Sequence, residues 1–259
     1  MSVSRFFIPP GEWNPDQLVL SGSESKHCLE VLRHQVGDKV VVFNGQGVEA
    51  TAEITSIEGQ AIQLSNRGTV RNTPLSAGIT LAQAIPKGKN MDLILQKATE
   101  LGARRVVPLL SERTIVRLDD EEGRRKQEKW QRIAIEACKQ CGQNWLPEVE
   151  APMSMEAFLS GKQQPGELRL IASLGQGARP LPAILEEHEE LHRQRPEKAL
   201  VIVGPEGDFT PAEMADAIRF GCLPLSLGPI VLRTETAAIY TLSILAYELL
   251  TPRSEPVPG

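Results

Sequence analysis

Two stretches near the C-terminal end of the chain share one pattern: a short apolar run, a glycine-containing loop, then a helix start. In the first, Val201-Ile202-Val203 leads to Gly204-Pro205-Glu206-Gly207-Asp208. In the second, Cys222 to Leu227 leads to Gly228-Pro229-Ile230-Val231-Leu232-Arg233. After the first loop, Thr210 suits an N-cap, Pro211 suits the first helical position and Glu213 completes a capping box. After the second, Thr234 and Glu235 open a helix, with Glu235 on the favourable side of the helix dipole. Strand, glycine turn and helix, given twice, set backbone amides at the carboxyl edge of a sheet, where open α/β sheets bind ligands. A third loop, Gly175-Gln176-Gly177-Ala178-Arg179-Pro180, follows the strand candidate Leu168–Leu174 and joins the same edge.

The pattern predicts an α/β class for most of the chain. From Gly78 onward, strand candidates at Ile79–Ile85, Arg104–Leu110, Leu168–Leu174, Ala199–Val203 and Cys222–Leu227 alternate with helical stripes. That alternation predicts a parallel sheet covered on both faces. The first 70 or so residues read differently. Short strands at Arg5–Ile8, Asp38–Phe43, Glu49–Ile57 and Ala61–Leu64, with the turn signal Asn44-Gly45, predict a small β-barrel. One helix from about Glu24 to Arg33 interrupts them. On it Lys26 and Arg33 are seven apart, as are His27 and His34, so all four fall near one side. That side is either a polar outer face or a nucleic-acid contact. The polar stretch Asn66–Ala77 predicts the boundary between a domain of residues 1–72 and one of residues 73–259.

Composition narrows the class. With 41% hydrophobic and 24% charged residues, the 259-residue chain is neither disordered nor fibrous. No apolar run approaches the ~20 residues that span a bilayer, and the first residues lack the apolar core of a signal peptide. A cytoplasmic protein without a membrane partner is expected. The net charge of −5 argues against a generic polyanion binder. Locally, however, Lys87 to Gln143 holds an excess of cations, which either meets a phosphate backbone or forms a solvated face of mixed charge.

Several motifs lead nowhere. His188-Glu189-Glu190-Leu191-His192 matches the zinc metalloprotease helix, but its flanks are charged and no third ligand follows, so no metal is expected. Cys138-Lys139-Gln140-Cys141 lies two turns inside a helical stripe with Trp130 and Ile133, so both cysteines read as core. Neither the dinucleotide fingerprint nor the P-loop is present. Three converging loops without a phosphate motif suit a compact cofactor held by backbone amides and carbonyls, such as adenosine with an attached amino acid.

Taken together, the residues resemble a known family. Arg5-Phe6-Phe7, His27 with Val31-Leu32-Arg33, and the stretches Lys87–Thr114, Lys129–Gly142, Gly204–Glu213 and Leu227–Ala237 are similar to the ribosomal RNA small subunit methyltransferase E family of the knotted SPOUT class. The resemblance implies a SPOUT-type parallel sheet with a trefoil knot, an N-terminal PUA-like β-barrel for RNA, and a homodimer. It implies S-adenosylmethionine as cofactor and methylation of N3 of a uridine in 16S rRNA of the small ribosomal subunit. It places the cofactor against Leu174, Gly175, Gly204, Glu206, Gly207, Leu227, Gly228, Leu232 and Thr236, and the RNA against Arg5, Lys26, His27 and Arg33. Arg233 is expected to stabilise charge on a uracil carbonyl, unless it pairs with Glu235 or Glu206. Glu206 is expected to act as base or orienting acceptor. Asp208, Ile230 and Gln143 depart from residues common in the family, which often has Gly, Arg and Arg there. Two rivals are a SPOUT enzyme for another RNA site and a non-catalytic rRNA-binding assembly protein.

Overall fold

The computed structural model describes residues 3–251 except 117, 163 and 176. Gln176, in the third of the expected loops, therefore lies outside the described residues. The chain divides into two compact units.

The first unit holds residues 1–74 and 135–146. Its strands are β1 (Arg5–Phe7), β2 (Leu18–Leu20), β3 (Lys39–Phe43), β4 (Val48–Glu58) and β5 (Ala61–Arg71), in the order β1-β3-β4-β5-β2. Only β1 and β3 run parallel. Phe6 and Ile8 at one edge share a core with Leu18 and Leu20 at the other, together with Val40, Val42, Ile54 and Ile62. A flat sheet cannot bring its outer strands into one core, so the sheet curls as a small barrel does. The Asn44 side chain makes the β3–β4 turn, accepting from the amides of Gln46 (2.8 Å) and Val48 (3.1 Å).

Two expectations for this unit are corrected. β5 continues past the expected Ala61–Leu64 to Arg71, into the polar stretch expected to hold the domain boundary, because the far ends of β4 and β5 pair as a ribbon whose side chains are mostly exposed. With water on both faces, no apolar alternation marks such a strand. The expected helix is also shifted about two residues toward the N-terminus and is not α-helical throughout. It consists of α1 (Gly22–Lys26) and a π-helical turn, His27–Val31, in which Leu32 N donates to His27 O. The wider turn rotates the next residues away from the α-helical phase. Arg33 then sits at φ 58, and His34 turns inward between Asp38 (2.9 Å) and Ser4 (2.9 Å). The four basic residues do not form one face.

The second unit holds residues 75–134 and 147–259. Its elements are β6 (Gly78–Ala84), α2 (Asn90–Glu100), β7 (Ala103–Leu110), α3 (Asp120–Cys141), β8 (Glu148–Val149), β9 (Met153–Ser154), α4 (Met155–Leu159), β10 (Glu167–Ala172), α5 (Leu181–His192), β11 (Lys198–Val203), α6 (Pro211–Arg219), β12 (Leu223–Leu225) and α7 (Thr234–Leu250). The last two turns of α3, from Ile135, belong to the first unit. The sheet runs β12-β10-β11-β6-β7-β8, every pair parallel, with β9 beside β7. Its central strand β11 is buried from Ala199 to Val203, as a strand covered on both faces must be. Among the described residues no helix is long and apolar enough to cross a membrane.

Candidate active site

The order β12-β10-β11 decides where the three loops meet. β10 lies between β11 and β12, with Ile171 opposite Ile202 and Ala172 opposite Leu225. Chain leaving these three strands therefore emerges side by side at one edge. There it encloses a cavity of about 290 Å³. Ala172, Ser173 and Leu174 line it from β10, Val203 to Glu206 and Asp208 from β11, and Leu227 with Ile230 to Thr234 from β12; Ala237 of α7 closes it.

Local rules shape each loop. At Gly204 a Cβ would lie 3.2 Å from the Phe209 ring, a tight contact to which the ring would have to yield by a few tenths of an ångström. Asp208 adopts φ 60 and accepts a hydrogen bond from Phe209 N at 2.8 Å. The expected capping box follows: Thr210 Oγ1 accepts from Glu213 N (3.3 Å) and Glu213 Oε2 from Thr210 N (2.9 Å). In the second loop Gly228 takes φ 98, and Arg233 is the N-cap of α7.

Six of the expected residues line the cavity: Leu174, Gly204, Glu206, Leu227, Leu232 and Arg233. Gly175, Gly207 and Gly228 lie in the same loops, outside the lining, and Thr236 is exposed on the first turn of α7. Glu206 Oε1 accepts from the backbone amide of Lys87 at 2.9 Å. Arg233 is exposed and has no carboxylate partner among the described residues. Of the two acids beside it, Glu206 accepts from Lys87 N and Glu235 accepts from Asn90 Nδ2 at 3.2 Å.

Two residues of this site carry roles that sequence reasoning did not assign. The Thr234 hydroxyl donates to Gly204 O at 2.6 Å and accepts from Gln83 Nε2 at 3.0 Å, so it ties the second loop to the first. Gln83, in β6, is fully buried, and its Oε1 has no partner among the described residues. Thr234 read only as a helix start. Gln83 left a signal: one amide inside the apolar run Ile79–Ile85.

The residues expected to meet RNA are in the first unit. Lys26 is exposed and lies 3.8 Å from Glu30, Arg33 is exposed, and the His27 ring stands edge-on to Phe6. Arg5 is engaged internally: its Nη1 donates to Glu49 at 2.9 Å, its Nη2 to Asn144 at 2.5 Å, and its guanidinium lies over Phe43. Burial pushes the Glu49 carboxyl up, but the hydrogen bonds from Arg5 and Asn144 and the Arg5 charge outweigh it and hold it below the ordinary range.

The rejected motifs behave as surface and core. His188 and His192 stack on α5 at 4.3 Å, and no cluster of metal-ligating groups occurs among the described residues. Cys138 is buried, with its thiol pushed up to about 12 by burial. Cys141 is a correction: it is the last residue of α3 and is exposed, at the point where the helix ends.

Comparison with known proteins places this fold and cavity among RNA methyltransferases. Residues 73–246 match the family described as the RNA methyltransferase domain, and residues 20–65 that described as the RNA methyltransferase PUA domain. Ribosomal RNA small subunit methyltransferase E of Bacillus subtilis is 31% identical over 230 residues, covering 88% of this chain and 89% of that one. The Neisseria gonorrhoeae enzyme of the same name, solved bound to S-adenosylmethionine, is 30% identical with a TM-score of 0.83, covering 95% of this chain and 98% of that one. A Legionella pneumophila protein solved with bound S-adenosylmethionine is 34% identical with a TM-score of 0.84, covering 96% and 98%. The chain belongs to the ribosomal RNA small subunit methyltransferase E family.

Proposed function

We propose that this chain transfers a methyl group from S-adenosylmethionine to N3 of a uridine in 16S rRNA of the small ribosomal subunit. The observation that carries the reading is the cavity at the ends of β10, β11 and β12, with Arg233 at its lip and without a carboxylate partner among the described residues. Its size lies at the lower limit of small-molecule sites, and its walls combine apolar side chains with the backbone of three loops. That suits adenosine bearing an amino acid. Leu174, Gly175, Gly204, Glu206, Gly207, Leu227, Gly228, Leu232 and Thr236 are the residues we assign to holding it. When bound, S-adenosylmethionine supplies an electrophilic methyl carbon on a sulfonium.

The remaining work falls to the protein. Uracil N3 attacks only as its proton leaves, and charge then develops on the flanking carbonyl oxygens. Arg233 has its guanidinium free to face one of them, and a fixed cation aimed at developing charge lowers the barrier. Glu206 serves there as an orienting acceptor, through the bond it holds to Lys87 N, and the proton leaves to water. Thr234, fixed by Gln83, holds the Gly204 carbonyl still, so the wall does not reorganise during transfer.

Residues 1–72 form the RNA-reading domain, with Lys26, His27 and Arg33 as contacts; Arg5 braces Glu49 and Asn144 behind them. Residues 73–259 form the SPOUT domain, whose trefoil knot follows from family membership. The working form is a cytoplasmic homodimer. Ile230, Val231, Tyr240 and Tyr247 expose large apolar side chains, which a second copy would cover.

Small subunits from a strain lacking the protein provide the test. Incubated with protein and S-adenosylmethionine, they acquire one N3-methyluridine, mapped by mass spectrometry of the 16S rRNA. A methyl on another base would move the target, and cofactor binding without any transfer would favour an assembly protein. Arg233→Ala leaves cofactor affinity in calorimetry within a few-fold of wild type and lowers transfer by about 10²–10³, the size of a lost charge-stabilising donor. Wild-type transfer by this variant would remove Arg233 from the chemistry.

A further inference from the structure

The turn between β6 and α2 carries two cations that the mechanism above does not use. Lys87 and Lys89 are exposed, and among the described residues neither has a carboxylate partner. Arg113, just beyond β7, is also exposed and outside any ion pair, and it donates to Gly207 O at 2.6 Å. Arg113 and Arg233 thus lie at the loop after β11, and the Lys87–Lys89 turn is tied to it through the Lys87 amide.

The acids on this edge are differently placed. Glu206 accepts from Lys87 N, Glu213 from the amides of Glu112 and Thr210, and Glu235 from Asn90. Each carboxylate is held by a neighbouring loop or helix end. The lysines keep their charge on long, free stems.

The Glu206–Lys87 bond spans 119 residues of sequence and joins a cavity wall to the turn that bears the lysines. Gly88 takes φ 67 there, so the turn reverses sharply and the Lys87 amide has Glu206 as its acceptor. Removing the carboxylate leaves that amide to water and frees the turn.

We propose that Glu206 is a positioning residue: it clasps the Lys87–Lys89 turn so that both lysines engage phosphates of the RNA strand whose base enters the cavity. The proposal rests on the RNA methyltransferase reading and adds a phosphate-binding rim beside the cofactor loops. Lysines suit the task, being point charges that hold a backbone without reading sequence. Base identity is then left to groups inside the cavity.

Binding and turnover test this separately. Binding of in vitro transcribed 16S rRNA is followed over a salt series, and kcat and KM are measured with small subunits from the deletion strain. The double variant Lys87→Ala/Lys89→Ala weakens RNA binding about tenfold or more. It also flattens the slope of log affinity against log salt by about 0.7 for each single-strand phosphate that it no longer neutralises. Affinity for S-adenosylmethionine in calorimetry stays within about twofold. Glu206→Ala reproduces the RNA loss, mainly as a raised KM. Glu206→Gln, whose amide oxygen still accepts from Lys87 N–H, recovers most of it. An unchanged salt slope in the lysine variant overturns the rim. A Glu206→Gln variant as defective as Glu206→Ala, with kcat rather than KM reduced and one inflection missing from its pH–rate profile, makes Glu206 the base and overturns the clasp. If the wild type transfers no methyl group, the function fails, while the binding series still decides the lysines.

Discussion

Asp208 shows how one backbone angle constrains a residue. At φ 60 an L side chain crowds its own carbonyl, at roughly 1–2 kcal/mol for ordinary residues. Aspartate offsets part of this through Oδ1, which accepts from Phe209 N. Glycine, often present here in the family, meets no strain at all. Asp208→Gly should therefore leave chemical denaturation nearly unchanged, whereas Asp208→Val should lower stability by about 1–2 kcal/mol. Equal midpoints for the two variants would show that the angle imposes nothing. Gln83 raises a different issue. It is sealed in the sheet with one oxygen unpartnered, a state that costs energy, and its amide fixes the Thr234 hydroxyl that braces Gly204. A leucine would pack better and leave the wall loose, which gives a physical reason for a polar residue there.

α6 and α7 present the same comparison between helices. α6 begins with a complete capping box, so the amides of Thr210 and Glu213 are satisfied within its own first turn. Thr210→Ala should cost about 1 kcal/mol, read as a lower unfolding midpoint and faster amide exchange at Glu213. Unaltered exchange would mean that the cap is redundant. α7 has Arg233 at its N-cap, where a guanidinium has no acceptor to offer the first-turn amides. Here local stability was forgone at the site itself. The π-turn after α1 is the opposite case: nothing in Glu24–Arg33 departs from a helical pattern, yet the wider turn brings His34 inward to Ser4 and Asp38.

For the protein taken entire, the first unit depends on a segment far along the chain. Asn144, 4% exposed, accepts from Arg5, and its amide donates to Glu49 at 2.8 Å and to Asn72 at 2.7 Å. Because the Glu49 carboxyl is held below its ordinary value of 4.5, its contribution is fully present above that value. It is lost as pH falls through the lower folded value. Glu49→Gln should thus be less stable than wild type by about 1–2 kcal/mol at pH 7, with the gap closing in acid; a gap that does not change with pH would refute the linkage. The parallel sheet, the capping box and the three loops at one sheet edge were legible in the chain, because strand alternation, capping and glycine turns are set by residues within a few positions of each other. Asn144 in the first unit, β5 running through Asn66-Arg67-Gly68, the Glu206 bond to Lys87 and the Gln83–Thr234–Gly204 relay were not. Each joins groups whose spacing along the chain carries no information about their distance in space. Only the packing of β6 beside β11, and of Ile135–Leu146 with the N-terminal strands, brings those groups within hydrogen-bond reach.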